Sequence, residues 1–299
     1  MTHPSQRTDE ILPATFLSLH GLAERGLTRH SIARLVADGR LIRLRNGRYV
    51  HTGTHADLVS AGRLGGRLDC VSLLTALGVF VRAAHPLHVQ FEPGTTRLPR
   101  RHGVVAHWRR SSTALRALAT DLVEALAQAC RCQSPRDSVA TLDSAWHAGL
   151  VDEADIAAVF ARLPRRYQAL RDVLDPRSES GAETLMRLLL RGLSVDVEIQ
   201  VTIRGVGRVD MVVDGWLIVE CDSRAYHEGW DAQKRDRARD MAAATLGYTT
   251  VRPIAEDILY RLPDVLVAMK AILAHPPRRG GMQNSTDRAS RSAKRPPIA

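Results

Sequence analysis

Long apolar runs are missing from this 299-residue sequence, and no stretch reaches the roughly 18 residues of a membrane-spanning helix. Membrane insertion is therefore not expected. The N-terminal stretch "MTHPSQRTDEILPA" lacks the basic start and apolar run of a secretory signal. Cysteine is scarce too, with only Cys70, Cys130, Cys132 and Cys221. Both features fit a cytoplasmic protein. Cys130 and Cys132 are separated by one residue, not by the two of a zinc knuckle, and no His/Cys pair stands close by at ligand spacing. The cysteines are accordingly expected to be buried or free thiols. Lysine is nearly absent, at positions 234, 270 and 294 only, so the basic charge is almost entirely arginine.

What is present is an apolar fraction of 44% and a net charge of +10, enough to build several cores and to attract polyanions. Half of that charge lies in residues 276–299, where six basic residues face one acid. Rich in Pro, Gly and Ser, residues 275–299 are expected to be a disordered basic tail. It would either add sequence-independent attraction to nucleic acid or only aid solubility.

Near the N-terminus, "GLTRHSIARLVADGRLIRLRNGRYV" has Thr28 as a helix cap and Ile32, Leu35 and Val36 at helical spacing. Asp38-Gly39 then stops the helix. Alternating "LIRLRNGRYV" follows, with Asn46-Gly47 as a hairpin turn. Residues 11–20 are expected to supply a preceding helix. Helix, helix, hairpin is the pattern of a winged helix-turn-helix, assigned to residues 1–52. Arg29, His30 and Arg34 on its second helix and Arg43, Arg45 and Arg48 on the hairpin are candidate contacts to DNA phosphates.

Residues 53–112 predict an α/β region, with a helix in "LDCVSLLTALGVF" and strands in "PLHVQFEPG" and "GVVAHWRRS". His85, His88, His102 and His107 lie there at irregular spacing, which suits surface or satisfied core histidines better than a metal site. Residues 113–175 predict a helical connector, with Ser134-Pro135 and Asp152 as helix starts.

Residues 176–274 predict an α/β domain with a mixed central sheet, in the order helix, strand, hairpin, helix, strand, helix. The hairpin "VDMVVDGWLIVECDSRAYH" carries Asp210, Glu220 and Asp222 in otherwise apolar strands, where unpaired charge is costly. A two-residue loop would set Glu220 away from Asp210. A three-residue loop would pair 213 with 217 and so 210 with 220, on one face. Glu183 either joins them or serves as the third residue of a capping box from Ser180. Carboxylates sharing a site need a cation, and hard oxygen donors suit Mg²⁺ or Mn²⁺. His227 is a candidate acid/base. Lys234, Arg235 and Arg237 on the following helix are candidates to hold a nucleic-acid strand.

"SGAETLMRLLL", "GVGRVDMVVDGWLIVECDSRAYH", "RDRARD" and "LGYTTVRPIAEDIL" together resemble the restriction-endonuclease-like domain related to very-short-patch-repair endonucleases, in the PD-(D/E)xK superfamily. The resemblance implies a metal-dependent DNA endonuclease. It places metal ligands at Glu183, Asp210 and Glu220, and catalytic groups at Asp210, Glu220, Asp222 and His227. Asp222 stands where the superfamily has Lys, Ser223 where Gly is common, and Cys221 where an aliphatic residue is common. "SIARLVADGRLIRLRNGRYV", "SLLTALGVF" and "PLHVQFEPG" resemble the antitoxin side of abortive-infection type IV toxin–antitoxin systems. The expectation is a multidomain α+β and α/β protein that binds and cleaves DNA. The alternative is a non-enzymatic, antitoxin-like regulator with a degenerate nuclease fold. A third reading adds a cognate toxin as partner.

Overall fold

A computed structural model describes residues 12, 14–45, 47–83, 86–96, 102–222 and 230–277. The chain is a mixed α/β protein with three small sheets. Among the described residues no helix is long and apolar enough to cross a membrane.

The first sheet has the order β1-β3-β2, from β1 (Leu17–Ser18), β2 (Leu41–Arg45) and β3 (Arg48–His51). Between β1 and β2 lie α1 (Leu19–Glu24) and α2 (Arg29–Ala37). Ser18 caps α1 by accepting from the Gly21 amide, and Thr28 caps α2 by accepting from Ser31. The helix expected over 11–20 is not formed there, because Leu17 and Ser18 pair as a strand with Tyr49 and Arg48. Its place is taken by α1, one element later. Leu22, Ile32, Leu41 and Tyr49 form a small core beneath α2, with Leu35 and Val36 packed partly against it.

The register of β2 against β3 shifts between Arg43 and Arg45. Up to that point the strand alternates, so Leu41 packs under α2 whereas Ile42 and Leu44 face a different, larger core; the shift then parts Arg45 from the face of Arg43.

The larger core is continuous from Leu12 to Leu163 and crosses both 52/53 and 112/113. It gathers α3 (Ala56–Leu64), β4 (Arg67–Leu68), α4 (Cys70–Ala76), β5 (Leu87–Phe91), β6 (Val104–Trp108), α5 (Leu122–Cys132), α6 (Pro135–His147) and α7 (Glu153–Ala161). β5 pairs antiparallel with β4 and parallel with β6. In the region expected to be a helical connector from residue 113, the first helix starts only at Leu122. Ala117 and Ala119 instead form bridges to Thr15 and Leu68. Ser134 and Asp152 cap α6 and α7, Asp152 in a complete capping box with Asp155. A 3₁₀ helix (Arg165–Val173) leads to the last unit.

That unit is a four-stranded sheet of order β10-β9-β8-β7, antiparallel except for the parallel pair β9·β10. Its strands are β7 (Val197–Ile203), β8 (Gly207–Val213), β9 (Leu217–Val219) and β10 (Thr249–Val251). One face packs against α8 (Gly181–Arg191), α10 (Ala255–Tyr260) and α11 (Leu262–Leu273). The other packs against α9 (Trp230–Thr245). The last helix, expected to be continuous, breaks at Arg261 into α10 and α11. Among the contacts that tie this unit to the preceding region, two stand out. The Phe80 ring lies over Gly181, where an added Cβ would come within 2.3 Å of it. Arg187 of α8 reaches Asp143 of α6 at 2.6 Å, with both side chains fully buried.

Candidate functional sites

The β8–β9 turn sets the geometry around the acids. Asp214 and Gly215 both adopt positive φ, at 49° and 69°, and Val213 pairs with Leu217. The loop therefore has three residues, and the β8–β9 ladder runs to Met211–Val219, with Asp210 and Glu220 the next residues on the two strands. The Cys221 amide donates to Asp210 Oδ2 at 2.7 Å. Burial pushes the Asp210 carboxyl up to about 6. The Cys221 hydrogen bond opposes that rise, while the negative charges of Glu183 and Glu179 add to it.

Glu183 is buried in the first turn of α8. Its Oε2 accepts from the Glu179 amide at 2.9 Å and from Gln200 Nε2 at 3.0 Å, while its own amide donates to Ser180 Oγ. The capping box expected of it is not completed: Ser180 caps the helix, but Glu183 bonds back to the Glu179 amide, one residue before the cap.

Glu220 points to the α9 side. Its Oε1 lies 2.9 Å from Arg239 and its Oε2 2.5 Å from Arg252, the second an ion pair without hydrogen-bond alignment. Burial raises its pKa, and the two guanidiniums pull it back. Arg252 also holds Asp240, and Arg239 is anchored on the Val206 and Arg208 carbonyls. The compensation demanded by Glu220 thus comes from two arginines of its own domain, one of them in α9 and the other just past β10. Asp222 is exposed, its backbone pairing with Pro253 and Ala255. His227 lies outside the described residues.

Among the described residues, Glu183, Asp210 and Glu220 do not converge as one group of ligand atoms. Asp210 and Glu183 fit a hard cation in donor type, and the charge of Glu183 adds to the rise at Asp210. Glu220, held by two guanidiniums, does not join them in this arrangement. Sequence pattern placed Asp210 and Glu220 at the same end of the hairpin. It carried no information on Arg239 and Arg252, which approach from elsewhere in the chain.

At the other end of the protein, Arg29, His30 and Arg34 are exposed on α2, and Arg43 is exposed on β2. Arg29 and Arg43 flank a groove of about 410 Å³ floored by Ile32, Ala33 and Tyr49. The other two hairpin arginines differ from expectation. Arg45 reaches the Leu64 carbonyl at 3.4 Å, and Arg48 stacks over the Phe16 ring at 4.6 Å. Burial, and then the charges of Arg45 and Arg67, lower the Arg48 pKa. The register shift after Arg43 turns this end of the strand toward the larger core, which removes both from the outer face. Lys234, Arg235 and Arg237 are exposed on α9.

A second constellation was not anticipated. Cys70 at the start of α4, His88 on β5, His107 on β6 and Cys132 at the end of α5 place their ligand atoms within 4.8 Å of one another. The two thiols are free and the two histidines are partnered, as expected of them one by one; that the four meet at one point was not expected. They come from four elements spread along the chain, so no local spacing marks them. The available signal was indirect: a histidine in the apolar strand "LHVQF" and two of the four cysteines at helix ends. Cys130, one turn-facing step away, is buried and outside the cluster, and burial pushes its thiol up to about 12. His102 is likewise not part of it, and His85 lies outside the described residues.

The chain matches no known family model and no curated protein.

Proposed function

We propose that this chain is a DNA-binding protein whose C-terminal domain is a nuclease-like phosphodiesterase. The observation that carries the reading is Asp210 itself, half-buried near the end of the β8–β9 ladder, held by the Cys221 amide and pushed up to about 6 by burial and by the charges of Glu183 and Glu179. Such a carboxyl is the kind of perturbed group that clusters at functional sites. The mixed sheet, with helices on both faces, supports a restriction-endonuclease-like fold. The element order β1-α1-α2-β2-β3 supports a winged helix-turn-helix at the N-terminus.

In this reading Arg29, His30, Arg34 and Arg43 hold backbone phosphates, with α2 offered to the major groove. Lys234, Arg235 and Arg237, exposed on α9, are the candidates to hold a nucleic-acid strand. Asp210 and Glu183 would hold a Mg²⁺ or Mn²⁺ ion, which when bound would supply an activated water and offset charge on the phosphate. Cys221 orients Asp210 through its amide, and Gln200 orients Glu183. Asp222 and His227 are the further candidates for moving a proton.

A second reading is favoured by one specific observation, the pairing of Glu220 with both Arg239 and Arg252. A carboxylate neutralised within its own domain suits a regulator that binds DNA through the N-terminal unit and retains the C-terminal fold as a scaffold. Type IV antitoxin-like repression, with or without a toxin partner, belongs to this reading.

Plasmid and short-duplex cleavage with Mg²⁺, Mn²⁺ or EDTA separates the two. Wild type is run beside Asp210→Ala, Glu220→Ala and Glu183→Gln. Metal-dependent nicking abolished by Asp210→Ala supports the nuclease. Glu183→Gln keeps an oxygen for the Glu179 amide, so it should fold normally and lose cleavage only if Glu183 is a ligand. No cleavage by wild type, with DNA binding intact, would leave the regulator.

A further inference from the structure

We infer that Cys70, His88, His107 and Cys132 form a tetrahedral Zn²⁺ site that pins strands β5 and β6 to helices α4 and α5. All four ligand atoms lie within 4.8 Å of one another, and His88 Nδ1 is 3.0 Å from His107 Nε2. A tetrahedral zinc, with Zn–N near 2.0–2.1 Å and Zn–S near 2.3 Å, would space its nitrogens by about 3.3 Å and its sulfurs by about 3.8 Å. The histidine nitrogens lie a few tenths of an ångström inside that spacing, and the 4.8 Å bound on all four atoms lies about 1 Å outside the sulfur spacing, so the cluster is near the size of such a cage.

The donor set selects the ion. Two thiols and two imidazoles with no carboxylate favour zinc over magnesium, calcium or manganese. Four protein ligands leave no open position, which is the composition of a structural site and not of a catalytic one. The two cysteines are free thiols and so available as ligands.

The surroundings are arranged around these groups. Cys70 has φ of 55°, a left-handed conformation uncommon for a residue with a Cβ, at the first residue of α4. Gln128 Nε2 donates to Cys132 Sγ at 3.4 Å, and the His88 amide is fixed on Ser72 Oγ at 2.8 Å. Asp69, fully buried beside Cys70, binds Arg109 and Thr120 through Oδ1 and leaves Oδ2 without a protein hydrogen bond. It also interacts electrostatically with His107. A carboxylate behind a ligating histidine is the usual second layer of zinc sites. Cys70 and His88 are buried, His107 is half-buried and Cys132 is exposed, so an ion can reach the cage from solvent. The site spans the change from strands to helices near residue 112. It joins with metal bonds two segments that the sequence pattern separates.

The test uses the full chain purified without added chelator. Elemental analysis should find one zinc per chain. After removal of the metal, titration with Co²⁺ should give the intense visible bands of a tetrahedral ion together with near-ultraviolet thiolate-to-cobalt charge transfer. Chelation should lower the melting temperature of the wild type and leave that of Cys132→Ser unchanged. Cys132→Ser should lose zinc affinity by more than the roughly 10–100-fold typical of an outer-layer substitution, whereas Cys130→Ser should keep stoichiometric zinc. Cys132 is exposed, so its substitution leaves the core intact, and circular dichroism checks the fold. The inference is overturned if the wild type retains no zinc and gives no tetrahedral cobalt spectrum. It is equally overturned if Cys132→Ser and His107→Ala hold metal as tightly as the wild type. The readout is independent of DNA cleavage.

Discussion

Replacing Arg187 with methionine exposes the energetics of the contact between α6 and α8. Arg187 and Asp143 are both fully buried and 2.6 Å apart. The guanidinium also donates to the Val173 carbonyl at 2.8 Å and to Ser178 Oγ at 3.3 Å. Asp143 further accepts from the Asp175 amide at 2.8 Å and from Thr184 Oγ1 at 3.0 Å. Removing one partner of a buried pair strands the other, at a cost of about 3–5 kcal/mol. At ~2–4 °C per kcal/mol for a domain of this size, the melting temperature should fall by roughly 6–20 °C. The loss should depend on pH. Burial pushes Asp143 up to about 6 from its ordinary 3.8, and Arg187 is the first influence holding it down. A folded pKa above the unfolded one gives stability that is full below the unfolded pKa and lost as pH rises through the folded pKa. Without Arg187 that folded pKa moves higher. The variant therefore keeps a proton that the wild type releases, and its deficit widens between pH 6 and pH 8. Urea unfolding at the two pH values measures this, and Asp143→Asn added to Arg187→Met should recover most of the loss. A deficit below about 1 kcal/mol at pH 8, or one that shrinks as pH rises, would refute the account of a buried ionised pair.

Gly181→Ala forces a Cβ to within 2.3 Å of the Phe80 ring and should cost about 1–3 kcal/mol, read as a lower urea midpoint. An unchanged midpoint would mean that Phe80 does not lock the two units together. Arg29→Ala combined with Arg43→Ala should weaken duplex DNA binding and flatten the slope of log K against log salt by about 2, at ~0.9 per lost phosphate contact. Arg48→Ala should leave that slope alone and lower stability, since its guanidinium lies over Phe16. Equal slopes for the double variant and the wild type would remove Arg29 and Arg43 from the DNA contact.

The parts legible in the sequence are those whose energetics are local. Thr28, Ser134, Asp152 and Ser180 each accept the amide three residues on, a bond that four consecutive residues specify. The order of elements from α8 to β10 follows from apolar periodicity in the same way. The split of the last helix at Arg261 and the late start of α5 were not legible. There the backbone bonds to partners outside the segment, as Ala117 and Ala119 do with Thr15 and Leu68. The arginines of the hairpin show the same limit. Alternation alone puts Arg43 and Arg45 on one face, and a register shift set by pairing with β3 parts them.

By itself the sequence determined most of the elements, the caps at Thr28, Ser134, Asp152 and Ser180, the excess of arginine and the presence of three acids in an apolar hairpin. These rest on composition and on contacts within a few residues. Tertiary structure alone decided that Glu220 faces Arg239 and Arg252, that Arg187 is buried on Asp143, and that two cysteines and two histidines from four elements meet at one point. Each of those contacts joins residues far apart in the chain. Their energy appears only when packing removes water between them, so no local pattern of residues announces them.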